Sequence, residues 1–362
     1  DSTYKVRIVD SLKSVYNFRG QIITVDGMSN FGFSSVQSPT MQFATGELTM
    51  ADSNMSFYPE GLPANRWRLF SIPGIIDSNE IKPNDLEDGH IFYDWDPVAE
   101  SWFKPDSIVI GRAYWFKHKY DEPIIFSNKD TTGYSVPLES YEIKLHQGAN
   151  MVGSPFPFPV RAELSEGVSD PYKYGSDLKE GWADTNVFEP WAGYAVQSTS
   201  DSGKITFYPI QDTTIAARSA SSGWRLNLDL SSNSSFDRTS SIGRCDACEE
   251  NVDINDMLLL PSLTQRVFIS LDIINDGQFD YSKDLRSTSE FNGIWNMRIN
   301  RPSAEGSLTL RGDYENDRPN DLVLMIVNVS NRGVLKNFPV ESFELSNMNS
   351  EFNDFKIIAG EE

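Results

Sequence analysis

The residue types that could do chemistry fall in three places. Cys245 and Cys248 are the only two cysteines, and they stand in Gly-Arg-Cys-Asp-Ala-Cys. The spacing is shared by thiol redox pairs and by half of a zinc site. Redox use needs a helix N-terminus to lower one thiol pKa, and the following Glu-Glu-Asn-Val-Asp-Ile-Asn-Asp offers no βαβ context for one. Zinc needs two more ligands, while His90, His118 and His146 lie in another part of the chain. We expect a disulfide that staples a local loop, with free thiols and a catalytic or metal-bound pair as the alternatives.

Asp272 to Asp280, Asp-Ile-Ile-Asn-Asp-Gly-Gln-Phe-Asp, has the rhythm of a calcium loop. Such a loop places oxygen ligands at its first, third and fifth positions ahead of a glycine. Asp272 and Asp276 fit the first and fifth before Gly277, Asp280 adds a third acid, and Ile274 breaks the third position. Carboxylates of the nearby Asp253 to Met257 could join if the loops meet. Ca²⁺ is therefore the one cofactor the sequence suggests, against the plainer reading of an Asp/Asn/Gly turn.

Tryptophans are concentrated in the middle of the chain, at Trp95, Trp102, Trp115, Trp182 and Trp191. Exposed aromatics stack on sugar rings, and Asp94, Asp96 and Glu100 lie beside the first two. Trp95 and Trp102 are thus the candidate ligand-binding residues, for a glycan. The competing expectation is that aromatics in short strands are core. Glycoside cleavage would further require two carboxylates facing each other across a cleft. The chain has no G-x-S-x-G, H-E-x-x-H, phosphate-loop or dinucleotide motif, so the expectation is a non-enzyme with no catalytic residue.

A formal net charge of −21 and a hydrophobic fraction of 39% describe an acidic, globular chain. That surface repels nucleic-acid phosphates and anionic membranes, so neither is expected as a partner. No apolar run approaches the ~20 residues of a membrane helix. The first residues, Asp-Ser-Thr-Tyr-Lys-Val, resemble a mature or excised N-terminus, with a targeting segment removed or an experimenter's cut as equal explanations.

The elements that must position these groups read as strands almost throughout. Residues 1–48 read as strands with a hairpin turning at Asp26 to Asn30, which resembles part of an immunoglobulin- or fibronectin III-like module. Residues 50–63 and the Ser/Ala-rich stretch before Gly223 read as connectors. Residues 64–215 look like one unit written twice. Trp67 to Gly74, Tyr93 to Phe103 and Gly111 to Phe116 are followed by Asn150 to Phe158, Gly181 to Pro190 and Trp191 to Val196. Ser71-Ile72-Pro73 falls against Ser154-Pro155 and Tyr114 against Tyr194, which points to duplication. Residues 224–362 read as a C-terminal β-sandwich, with the apolar run Asp321 to Val329 as its central strand.

Two sets of motifs carry a resemblance. The first is W-R-L-x-S-x-P at Trp67, G-x-A-Y-W at Gly111 and G-x-N-M-V-G-x-P-F-x-F-P-V at Gly148. The second is W-R-L-x-L at Trp224, a segment from Ser-Ile-Gly at Ser241 to Asn-Asp at Asp256, Asp284-Leu285-Arg286, Trp295, Ser307 and the final F-x-I-I-A-G at Phe355. Over about residues 60–362 the chain resembles β-rich C-terminal modules of large secreted and cell-surface proteins of Bacteroidetes and related bacteria. The cysteine pair departs from that pattern.

The resemblance implies a secreted or surface-anchored all-β protein and no reaction. The expectation is several β-sandwich-like domains in tandem, forming a structural or adhesive segment of an extracellular assembly such as a surface layer, sheath, filament or adhesin. Its partners would be other protein chains, including copies of itself. The alternative is an accessory carbohydrate-binding region of a secreted hydrolase.

Overall fold

The computed structural model describes residues 4–8, 23–25, 46–50, 61–74, 89–121, 137, 139–156, 158–176, 179–208, 223–253, 255–264, 267–290, 292–301, 307–315, 319–330, 332–338, 343–345 and 352–361. Within them every regular element is a strand, so the fold is all-β. The chain divides into two units, residues 1–173 with 185–215, and residues 174–184 with 216–362.

In chain order the first fourteen strands are β1 (Tyr4–Ile8), β2 (Ile23–Val25), β3 (Gly46–Met50), β4 (Arg68–Ser71), β5 (His90–Asp96), β6 (Ser101–Phe103), β7 (Ala113–His118), β8 (Tyr141–Lys144), β9 (Gly148–Gly153), β10 (Ala162–Leu164), β11 (Tyr172–Ser176), β12 (Lys179–Asp184), β13 (Gly193–Ser198) and β14 (Lys204–Phe207). β1 pairs β2 in parallel and β3 in antiparallel register. The expected turn at Asp26 to Asn30 lies outside the described residues, as do most of the first connector and all of residues 209–222.

Two sets of strands within residues 64–215 are paired in the same order. In the first repeat β4 pairs β7, β7 pairs β5, and β5 turns back into β6. In the second, β9 pairs β13, β13 pairs β11, and β12 follows. Register fixes the equivalences. Ser71 lies opposite Ala113 and Phe70 opposite Tyr114, whereas Gly153 lies opposite Gly193 and Val152 opposite Tyr194. Ser71 therefore corresponds to Gly153, and Ile72 to Ser154. The sequence match of Ser71 to Ser154 is one residue out, because residue identity outweighed register.

Equivalent groups also meet each other. Ser71 N donates to Trp191 O at 3.2 Å, and Gly153 N donates to Gly111 O at 3.0 Å. The bridges Phe70↔Ala192 and Arg112↔Val152 repeat the relation. In each repeat a tyrosine hydroxyl holds the preceding turn, Tyr114 accepting from Val109 N at 2.7 Å and Tyr194 from Glu189 N at 2.6 Å. Burial pushes the Tyr114 phenol up to about 12, so it stays a neutral hydroxyl.

The core of the first repeat gathers Leu62, Phe70, Ile72, Phe92, Tyr114 and Phe116, and takes Trp191 from the second. Trp191 adopts φ 66° and stacks on Phe70 at 5.9 Å, while its counterpart Gly111 has φ 83°. A side chain at Gly111 would meet Ile143 and Tyr141, which fill that space instead. The second repeat is a sandwich of β9, β13 and β11 against the sheet β10-β14-β8, closed over Phe156, Phe158, Phe188, Ile205 and Phe207. Ala162–Leu164 pairs with β14 as the strand β10 of that sheet.

The second unit continues with β15 (Gly223–Ser231), β16 (Phe236–Cys245), β17 (Met257–Leu258), β18 (Phe268–Asp272), β19 (Tyr281–Ser287), β20 (Gly293–Asn300), β21 (Leu308–Tyr314), β22 (Leu322–Asn328), β23 (Val334–Phe338), β24 (Phe343–Leu345) and β25 (Phe352–Glu361). One layer runs β24-β21-β15-β16-β19 and the other β23-β22-β25-β20-β18, joined where Leu271 pairs Tyr281. Strict alternation makes the core. Trp224, Leu226, Leu228 and Leu230 point inward from β15 to meet Ile269, Leu271, Trp295, Met297, Ile299, Phe355 and Ile357. Burying each such side chain is worth roughly 1.5–3 kcal/mol. The run Asp321 to Val329 is not the central strand. β22 is next to the edge, with Leu322, Leu324 and Ile326 inward and Met325 outward, while β25 and β20 hold the middle of that layer.

Candidate functional site

The first candidate is the face around the β5–β6 hairpin. Alternation on β5 turns Asp94 inward, where it is 2% exposed. Its Oδ2 accepts from Arg112 Nη1 at 2.6 Å and its Oδ1 from Trp95 N at 2.8 Å. Burial raises the Asp94 pKa, and the Arg112 guanidinium pulls against that rise. Trp95 donates its indole N–H to Ala149 O at 2.8 Å, tying β5 to β9.

Trp102 packs at a tilt of 57° against Trp95, 4.6 Å between ring centroids, and edge-on to Trp115 at 6.0 Å. Trp95, Trp115, Trp182 and Trp191 are buried, so of these five tryptophans only Trp102 is partly exposed. Asp96 accepts from Val98 N at 2.9 Å and Ala99 N at 3.0 Å, and those amides hold its carboxyl below the usual range. Asp94 and Asp96 thus serve a salt bridge and a turn. The face can stack an apolar plate on Trp102; it does not set two carboxylates against each other.

The second candidate is the loop between β16 and β17. Here the structure brings together several of the residues that carried the C-terminal resemblance, among them Asp256, Asp284, Arg286 and Trp295. Arg244 is 3% exposed, reaches Glu250 at 2.7 Å, and also donates to the carbonyls of Ser287 and Asn292. Asp256 Oδ1 accepts from Leu285 N and Oδ2 from Asp253 N, both at 2.9 Å. Asp253 in turn accepts from Glu249 N and Asn255 N. Asp284 pairs with Arg286 at 2.8 Å, and the Arg286 guanidinium lies 4.9 Å from the Trp295 ring centre.

Cys245 and Cys248 form a disulfide in this loop, packed with Leu285. Burial pushes Asp256 up to about 7 and raises Asp284, with Arg286 opposing the second shift. A β-carbon at Gly243 would stand 2.3 Å from Trp224 O, which is why the Ser-Ile-Gly word needs its glycine. The words of the motif are mutual anchors for one loop and two strands.

The expected Ca²⁺ ligands do not converge. Among the described residues no group of three or more His, Cys, Asp and Glu side chains could hold a metal ion. Asp272 is buried, its two oxygens accepting from Asp276 N at 3.2 Å and Gly277 N at 3.0 Å. Asp276 accepts from Gln278 N at 2.9 Å, and Asp280 is exposed beyond the loop. Carboxylates of this loop cap amides of the same turn.

Sequence reasoning missed Asp237. It is 1% exposed and accepts from Ile269 N at 2.8 Å, Thr239 N at 2.9 Å, Thr239 Oγ1 at 2.8 Å and Ser240 Oγ at 3.1 Å. Its signal was faint, an acid inside a Ser/Thr-rich strand beside the register shift between Leu228 and Leu230. Comparison with protein-family models, curated proteins and solved structures finds no match to this chain.

Proposed function

We propose that the chain is a non-catalytic structural or adhesive segment of an extracellular, cell-surface assembly. The observation that supports this reading most is the use made of its buried acids. Asp94, Asp237, Asp256 and Asp284 are each held by amides, hydroxyls or guanidinium groups of the fold itself. Groups so engaged stiffen sheets and loops. The Cys245–Cys248 disulfide agrees with an oxidising compartment, and the acidic surface with a soluble, non-nucleic-acid setting. The motif resemblance to secreted surface proteins of Bacteroidetes points the same way.

A second reading, an accessory carbohydrate-binding region, rests on Trp102 alone. A partly exposed indole backed by Trp95 and Trp115 is a plate of the kind that stacks on sugar rings. A glycan array separates the two. The structural reading expects no retention, whereas retention lost in Trp102→Ala establishes the second. Turnover of an ester, peptide or glycoside by the purified chain would overturn both.

A further inference from the structure

The two repeats carry the same hairpin, and the surroundings of one indicate the use of the other. In the second repeat the hairpin segment Tyr174–Asp184 folds with the C-terminal sandwich. There β12 lies parallel to β16 through Ala183↔Arg238, and Glu180 N donates to Ser234 O at 3.0 Å. Ser235 Oγ donates back to Glu180 O at 2.9 Å, and the Tyr174 hydroxyl bonds Thr264 Oγ1 at 2.7 Å. Its aromatic pair, Tyr174 and Trp182, has centroids 5.0 Å apart and is sealed, at 0% and 1% exposure.

The first-repeat hairpin has the corresponding pair, Trp95 and Trp102, and a different fate. β6 ends its sheet, and among the described residues no strand pairs its outer edge. Val98 at the tip is 74% exposed and Phe103 on β6 is 40% exposed. An open edge strand flanked by exposed apolar side chains is a surface that proteins otherwise blunt or cover.

We propose that the β5–β6 hairpin docks on the C-terminal sandwich of a second molecule of this chain, adding β6 to an open strand edge as β12 is added beside β16. Among the described residues that sandwich has β23 as the last strand of its layer, with exposed Val329 and Val334 beside the exposed Arg332. The hairpin tip carries Asp96 and Glu100 around Val98, so both apolar character and charge are complementary. Main-chain bonds supply affinity in such strand addition, and side-chain pockets supply selectivity. Joining two unlike surfaces of one molecule to its neighbour propagates head to tail into a fibre or layer. The inference rests on the structural reading and names the contact by which that assembly would form.

Sedimentation velocity on the whole chain from about 1 to 100 µM, the range of weak specific interfaces, tests it. The expected result is reversible self-association, weakened about tenfold or more in V98K/F103K and separately in R332E. V252K, at another exposed apolar position, should associate as the parent does, and far-UV circular dichroism should be the same for all. A parent that stays monomeric across the range overturns the proposal. So does association of equal strength in V98K/F103K and R332E, an outcome that leaves the structural reading standing on a different surface.

Discussion

Gly153 lies against Ser71, its own counterpart in the other repeat. A β-carbon built on Gly153 would fall 2.1 Å from Ser71 Cβ, and one on Gly193 would fall 2.6 Å from Ala113 Cβ. Two pairs of equivalent residues thus touch where the repeats face each other, and in each pair one member is glycine. Ser71 uses the approach to donate its hydroxyl to Ala192 O at 2.6 Å.

Gly153→Ala should therefore destabilise the chain by about 1–3 kcal/mol, the usual cost of forcing a methyl into a packed contact. Urea denaturation reads the change. Adding Ser71→Gly should recover part of the loss, because the colliding atoms are removed together with one hydrogen bond. Additive losses in the double variant would contradict direct contact.

Asp237→Ala should be more damaging, by about 2–5 kcal/mol, since the amides of Ile269 and Thr239 lose a buried acceptor. The same denaturation series measures it. A loss within the scatter of surface substitutions would contradict the role assigned to that carboxylate.

The pH dependence has a definite sign. Asp256 has a pKa of about 7 in the folded chain against the ordinary 3.8, so the folded state binds a proton more tightly than the unfolded one. Its contribution is fully present below about pH 4 and is lost as pH rises through about 7, by on the order of 4 kcal/mol. Asp94, Asp237 and Asp284 shift in the same direction and add to the slope. Thermal melts between pH 4 and 8 should show stability falling with pH and a shallower fall in Asp256→Asn. An equal slope in the variant would place the titration elsewhere.

The disulfide closes a loop of only two intervening residues, so chain entropy limits its contribution to about 2 kcal/mol. Cys245→Ser with Cys248→Ser should fold and melt slightly lower, with the loop anchored by Arg244–Glu250 and by Asp256 on Leu285. Loss of cooperative unfolding in that variant would show the anchors to be insufficient.

The strands were legible because period-two alternation is printed directly in segments such as Trp224 to Ser231. The likeness of the two strand sets was legible from Tyr114 and Tyr194, which do the same job of holding a turn. Its register was not, because Ser71 and Gly153 differ in type for the reason that makes them equivalent: they occupy one contact from opposite sides. Gly111 and Trp191 also hide their kinship, one leaving space that the other fills. The acids are harder to read. Asp272 and Asp276 have the spacing of a cation loop, but spacing does not say whether carboxylates turn toward an ion or toward their own amides. The relation of the Ser241–Asp256 segment to Asp284–Arg286 and Trp295 appeared only once parallel pairing of β16 with β19 set them side by side.

The most direct test of the structural reading is the mass of the particle in which the native protein travels. Gentle extraction from the surface of its own cells, followed by density-gradient sedimentation and electron microscopy, supplies it. The account predicts a large particle with a regular repeat, containing many copies of the chain. A monomer free in the medium, turning over a substrate or held only by glycan, would contradict it.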